Sequence, residues 1–185
     1  MKKNLEEMSV SEIIEACGVS PAPAGQIYVA RVPAEISRAA AQAFFKARKP
    51  EIVAELQARR EAERAALQER QSKIDAIEGL VEIQEAQEKM NQWHRRFNAS
   101  FSGPNACGGF GVGPRPNVDI DALKAKYPRA AAYLKAREWG CAAHYVKAKA
   151  GRDAEERTIN GEDHATVIAE MEKSWDAYCD GKAWD

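Results

Sequence analysis

The chain has 185 residues, with 27 Lys and Arg against 28 Asp and Glu and a formal net charge of -1. A balance that close to neutral excludes bulk attraction to nucleic acid or to an anionic membrane surface, and no apolar run reaches the ~20 residues of a membrane span. Hydrophobic residues at 45% and aromatics at 8% leave material for one domain or two small ones. The predicted fold class is all-α. A long projecting helix with short N-terminal elements (1–101) leads through a glycine- and proline-rich tether (102–117) to a C-terminal antiparallel helical hairpin (118–185).

Met1 to Glu7 lacks the apolar core of a signal peptide, so a cytoplasmic protein is expected. Ser9 and Glu12 have the spacing of a capping box, and the short helix they open places Ile13 and Ile14 inward and ends at Gly18. Ser20 to Gly25 reads as a turn-rich linker. Gln26 to Val32 is the one strand candidate, rich in β-branched and aromatic residues. A lone strand needs a partner from a twofold mate or another protein; otherwise the segment is extended coil. Ala34 to Arg48 reads as a helix with Ile36, Ala40, Ala43, Phe44 and Ala47 along one side, and at least one of Phe44 and Phe45 should bury.

Pro50 suits a first helical position. From Glu51 to about Phe101 the composition is that of a strong helix former, and an unbroken helix of that length would run about 75 Å. Val53, Leu56 and Leu67 make a thin seam, interrupted by Arg60, Glu63 and Arg70. Glu55 and Arg59 stand at ion-pair spacing. Beyond Ser72 the seam strengthens through Ile74, Ile77 and Val81, then shifts to Ile83, Ala86, Met90, Trp93 and Phe97. Gly79 sits at the shift, which predicts a bend there. The long helix is also the element through which a homodimer would form.

In the tether, Gly-Gly-Phe-Gly-Val-Gly lacks the preceding strand and the terminal Gly-Lys-Ser/Thr of a phosphate loop, so it reads as a linker with Phe110 and Val112 as anchors. Asp119 caps the next helix, with Ile120 and Leu123 inward. A second long helix is predicted from Pro128 to about Ile159, with Cys141, Tyr145 and Ala148 on one side. Asn160-Gly161 makes the turn, and Asp163 caps a last helix carrying Val167, Ile168, Met171, Trp175 and Tyr178.

The four cysteines, Cys17, Cys107, Cys141 and Cys179, include no C-x-x-C pair and are expected as free thiols. Cys141 and His144 have the spacing to share a helical face. His164 and Cys179, however, are about 22 Å apart along their helix, too far for one metal ion. No cofactor, metal or catalytic residue is expected, and the protein is read as non-enzymatic.

Charge divides the C-terminal part. From Lys124 to Arg152 there are eight Lys/Arg and one acid, Glu138; from Asp153 to the end there are three Lys/Arg and ten acids. The two helices can neutralise each other along their rims, or leave one charged face open. The candidate partner-binding residues are Arg59, Arg60, Arg64 and Arg70 on the long helix. On the hairpin they are Lys147, Lys149 and Arg152 on the basic face, and Glu170, Glu172 and Asp176 on the acidic one.

The run Tyr127-Pro128-Arg129-Ala130-Ala131-Ala132-Tyr133-Leu134-Lys135-Ala136, with the terminal Ala183-Trp184-Asp185, resembles small helical proteins of phages and conjugative elements of Gram-positive gut bacteria. The likeness spans roughly Gly103 to the end. It implies an accessory role in the host cytoplasm, of the kind filled by proteins that block host defences, anti-CRISPR proteins among them. The function expected is therefore binding to a partner protein, such as a host defence nuclease complex. The alternative is a nucleic-acid-binding accessory protein using the basic segment 124–152.

Overall fold

A computed structural model describes residues 8–22, 26–32, 38–102, 106, 108 and 111–181, and of 38–40 the backbone only. In these residues the elements run α1 (Val10–Cys17), β1 (Val19–Ala22), β2 (Gln26–Val29), α2 (Arg38–Asp75), α3 (Leu80–Ala99), α4 (Ile120–Lys126), α5 (Pro128–Gly140), α6 (Tyr145–Ile159) and α7 (His164–Cys179). The protein is mostly helical, with one small sheet. Ile36, Cys107, Phe110 and the terminal Ala183-Trp184-Asp185, all singled out from the sequence, lie outside the described residues. No helix among the described residues is long and apolar enough to cross a membrane.

The chain divides into two units, Met1–Glu69 and Arg70–Asp185. The boundary falls inside α2 rather than at the tether, which corrects the division expected from composition. The cause is apolar: Ile74, Ile77, Leu80 and Ile83 form one core with Ala130, Tyr133 and Ile159, so the end of α2 and all of α3 belong with the C-terminal helices.

In the first unit α1 is closed at both ends. The Ser9 hydroxyl accepts from Glu12 N–H at 3.2 Å, and the Glu12 carboxylate accepts from Ser9 N–H at 2.8 Å, the reciprocal capping box. Gly18 ends the helix at φ 60°, and the Arg31 guanidinium donates to the carbonyls of Ala16 and Glu15. The expected lone strand has a partner within its own chain. β1 and β2 pair antiparallel, with Val19 opposite Val29 and Pro21 opposite Ile27. The supposed linker thus holds a strand, and Pro21 is tolerated because a two-stranded sheet consists only of edges. Ile13, Ile14, Cys17, Val19, Ala41, Phe45 and Ile52 make the core, with Phe44, Ile27 and Val29 against it. Burial raises the Cys17 thiol pKa above its ordinary value, against a smaller lowering by Arg31.

The helix expected to begin at Pro50 passes straight through it. Ala41, Phe45 and Ile52 are buried and Leu56 partly so. A continuous helix is what keeps these four on one face, and their burial offsets the roughly 3 kcal/mol cost of an interior proline. Beyond them, residues 61–69 are exposed throughout, Leu67 at 67%.

In the second unit Gly79 takes φ 74° and separates α2 from α3, the break its position predicts. Its missing side chain is filled by the Tyr127 ring, which lies 2.1 Å from where a Cβ would stand. The long helix expected from Pro128 to Ile159 is two helices. α5 stops at Gly140 and α6 starts at Tyr145, so three helices replace the hairpin. α5 and α6 run antiparallel, since Arg129 reaches the Thr158 carbonyl while Gly140 meets Gly151. Gly140, Ala136, Ala148, Gly151 and Ala154 let the two backbones approach closely. α7 packs Val167 and Met171 onto Ala136 and Ala154.

Candidate functional site

The second unit has a cleft of about 1470 Å³ bordered by α3, the segment 115–121, α5 and the start of α7. Its floor is apolar and comes from three helices: Met90 of α3, Ala131, Ala132 and Leu134 of α5, and Ile168 of α7. Its rim is polar and mixed in sign, with Asn91, His94, Arg115, Asp121, Lys124, Arg137 and Glu138. The α4 edge is fixed by Asp119, whose carboxylate accepts from Ala122 N–H at 2.9 Å. The α7 edge is fixed by Asp163, which accepts from both the N–H and the hydroxyl of Thr166 at 2.9 and 2.7 Å. Those bonds, that from the hydroxyl first, hold the Asp163 carboxyl below its ordinary pKa.

The candidate residues drawn from the sequence are divided between the two units. On α2, Arg59 is half-buried and held by Glu55 at 3.0 Å and by the Ser11 hydroxyl. Arg60 and Arg64 are both exposed. Arg70 donates to Glu155 at 2.8 Å and Glu156 at 3.3 Å, and these carboxylates, Glu155 foremost, raise its pKa. On the acidic helix, Glu170 accepts from Arg157 at 2.7 Å, and Glu172 is bonded to Lys135. Asp176 is exposed.

The cations of 124–152 are largely engaged inside the unit. Arg129 donates to the Thr158 and Ile159 carbonyls, Arg152 reaches the Gly140 carbonyl at 3.4 Å, and Lys135 pairs with Glu172. Lys147 lies 4.7 Å from the ring centre of Trp139 and 5.7 Å from that of Trp175. Lys149 is exposed. Of these, Lys135 answers an acid of 153–185, while Arg129 and Arg152 meet backbone carbonyls and Lys147 meets aromatic rings.

Cys141 and His144 do not share a helical face. Both lie in the α5–α6 connection, because α5 has already ended at Gly140, and Cys141 and Tyr145 are exposed rather than turned inward. His144 Nε2 is 3.0 Å from the Tyr178 hydroxyl, and its ring meets Trp175 edge-on with centroids 5.0 Å apart. His144, Trp175, Tyr178 and Lys147 thus form a cluster that joins the start of α6 to the end of α7. Among the described residues no three His, Cys, Asp or Glu come together as a metal-binding group.

Sequence periodicity marks Met90 and Ile168 as apolar but cannot show that α3, α5 and α7 leave a gap between them. The one local sign of the cleft is Ala130-Ala131-Ala132, where Ala130 and Ala132 bury while Ala131 faces the opening. Comparison with known proteins returns no match: no family model, no curated protein and no solved structure resembles the chain.

Proposed function

We propose that this chain is a non-enzymatic protein-binding protein whose cleft accepts a helical segment of its partner. The observation that carries this reading is the cleft itself. Its volume of about 1470 Å³ exceeds the roughly 300–1,000 Å³ of small-molecule sites. An apolar floor between polar rims matches an amphipathic helix lying in a groove. We further propose that the partner is a component of a host defence complex and that occupancy inhibits it, as the resemblance read in Tyr127–Ala136 would imply. The alternative, nucleic acid held by 124–152, loses support because most cations of that segment already have partners within the fold.

The test is capture from host lysate, followed by calorimetry between the purified captured protein and this chain. Ala131→Arg fills the cleft from a half-buried helical position. The expected result is a defined Kd for the wild type and loss of binding by Ala131→Arg with an unchanged circular-dichroism spectrum. Equal binding by the folded variant would overturn the proposal.

A further inference from the structure

The buried stripe of α3 does not end where its core ends. Ile83, Ala86 and Met90 are buried. The next positions on that side carry Trp93, Phe97 and Phe101, of which the first two are only half-buried and Phe101 is 55% exposed. Trp93 and Phe97 stack with centroids 5.0 Å apart and an interplanar angle of 18°. Phe97 and Phe101 follow edge-on, also at 5.0 Å. The indole N–H donates to the Gly113 carbonyl at 3.2 Å. That bond satisfies the polar edge of Trp93 and brings the segment bearing Arg115 beside α3, where Arg115 and His94 border the same opening.

The charge around this ladder is one-sided. From Met90 to Val118 the sequence has no Asp or Glu, in a chain that contains 28. Arg96 stands three residues after Trp93, on the neighbouring flank of the helix, and is exposed, as is Arg115. Among the described residues neither has a carboxylate partner.

We propose that the ladder Trp93–Phe97–Phe101, with Arg96 and Arg115, binds single-stranded nucleic acid. Bases stack on aromatic faces whatever their identity, and arginines beside the rings take the phosphates. An uncharged apolar partner would account for the rings but not for the absence of acids from the segment Met90 to Val118. The overall charge of -1 does not oppose this, because at physiological salt a local patch acts over about 8 Å. The inference goes beyond the cleft reading, and its site shares Arg115 with the cleft rim.

Fluorescence anisotropy of a short fluorescein-labelled oligothymidine, titrated with the full chain at low and at physiological salt, tests it. The wild type should bind, with affinity falling as salt rises. Phe101→Ala should weaken binding about tenfold, and Phe101→Tyr should restore it. Arg96→Gln combined with Arg115→Gln should reduce the log–log salt slope by roughly 1.4, at about 0.7 for each phosphate contact. Phe101 does not line the cleft, so Phe101→Ala should bind the captured protein partner as wild type does, which separates failure of this site from failure of the cleft. No binding at low salt, equal binding by Phe101→Ala, or displacement by poly-glutamate as effective as by unlabelled oligonucleotide would overturn the proposal.

Discussion

Two glycines of the α5–α6 contact should respond to the same substitution with opposite signs. Glycine to alanine inside a helix ordinarily stabilises by about 1 kcal/mol. At Gly151 a Cβ would stand 2.2 Å from the Gly140 nitrogen, 2.5 Å from the Trp139 carbonyl carbon and 2.7 Å from the Ala136 oxygen. All three are backbone atoms of α5, so no side chain can swing aside. The helices must separate by about 1 Å to reach ordinary contact, loosening the packing of Ala136 against Ala154. Overpacking of this kind costs about 1–3 kcal/mol, which exceeds the propensity gain over most of that range. Gly151→Ala should therefore destabilise the second unit by up to about 2 kcal/mol. At Gly140 the nearest atom to a new Cβ is Arg152 Cγ, at 3.4 Å. Gly140→Ala should be neutral or stabilising by up to about 1 kcal/mol. Urea unfolding followed by tryptophan fluorescence measures both, and all four tryptophans lie in Arg70–Asp185, so the signal reports that unit. Gly151→Ala at least as stable as wild type with an unchanged m-value would refute the close approach of these helices.

Arg129 closes the C-terminal end of α6 with three donor contacts of 3.0 to 3.2 Å. Arg129→Met should cost about 1.5–3 kcal/mol in the same urea assay, and Arg129→Lys should recover only part, because an ammonium lacks the planar fork. Pro50 lies within α2, so Pro50→Ala restores a helical N–H and should raise the stability of the first unit, read as greater hydrogen-exchange protection around residues 46–54. A neutral result would mean that the helix starts anew at Pro50. The folded Asp163 carboxyl titrates below its unfolded value, which is about 3.9. Its contribution is thus complete above that value and is lost as pH falls through the lower, folded one. Asp163→Asn, which keeps a capping side chain, should remove that share of the acid-side loss of stability in urea unfolding repeated from pH 6 to pH 2.

Local signals proved sufficient wherever the physics was local. The capping box at Ser9, the left-handed turn at Gly79, and the caps at Asp119 and Asp163 each depend on a few neighbouring residues, and each forms as its spacing predicts. Two readings failed because a distant contact decides them. Pro50 has the local chemistry of a helix start, but Phe45 on one side and Ile52 on the other share a core with α1, and their burial carries the helix through. Val19-Ser20-Pro21-Ala22 has the local chemistry of a turn, but Gln26–Val29 requires a partner and the hairpin supplies it. The end of α5 was hidden for a third reason. Trp139-Gly140-Cys141-Ala142 is a weak stop signal by itself, and only Gly151, eleven residues on, shows what Gly140 is for.

The segregation of basic 124–152 from acidic 153–185 allowed two readings, mutual neutralisation of adjacent helices or one charged face left open. Arg157 with Glu170, Lys135 with Glu172, and Arg70 with Glu155 show where the charges went. Such pairs are worth little individually when exposed. They lie beside contacts made by Ala136, Ala154, Val167 and Met171. The binding surfaces must then be sought where polar or aromatic groups are not answered from within the fold. Among the described residues, the cleft, with Asp121 and Arg137 on its rim, and the acid-free end of α3 are such places. Neither is visible as an excess of charge. The first appears only when helices are placed in space, and the second is marked in the sequence by which residues are missing from it.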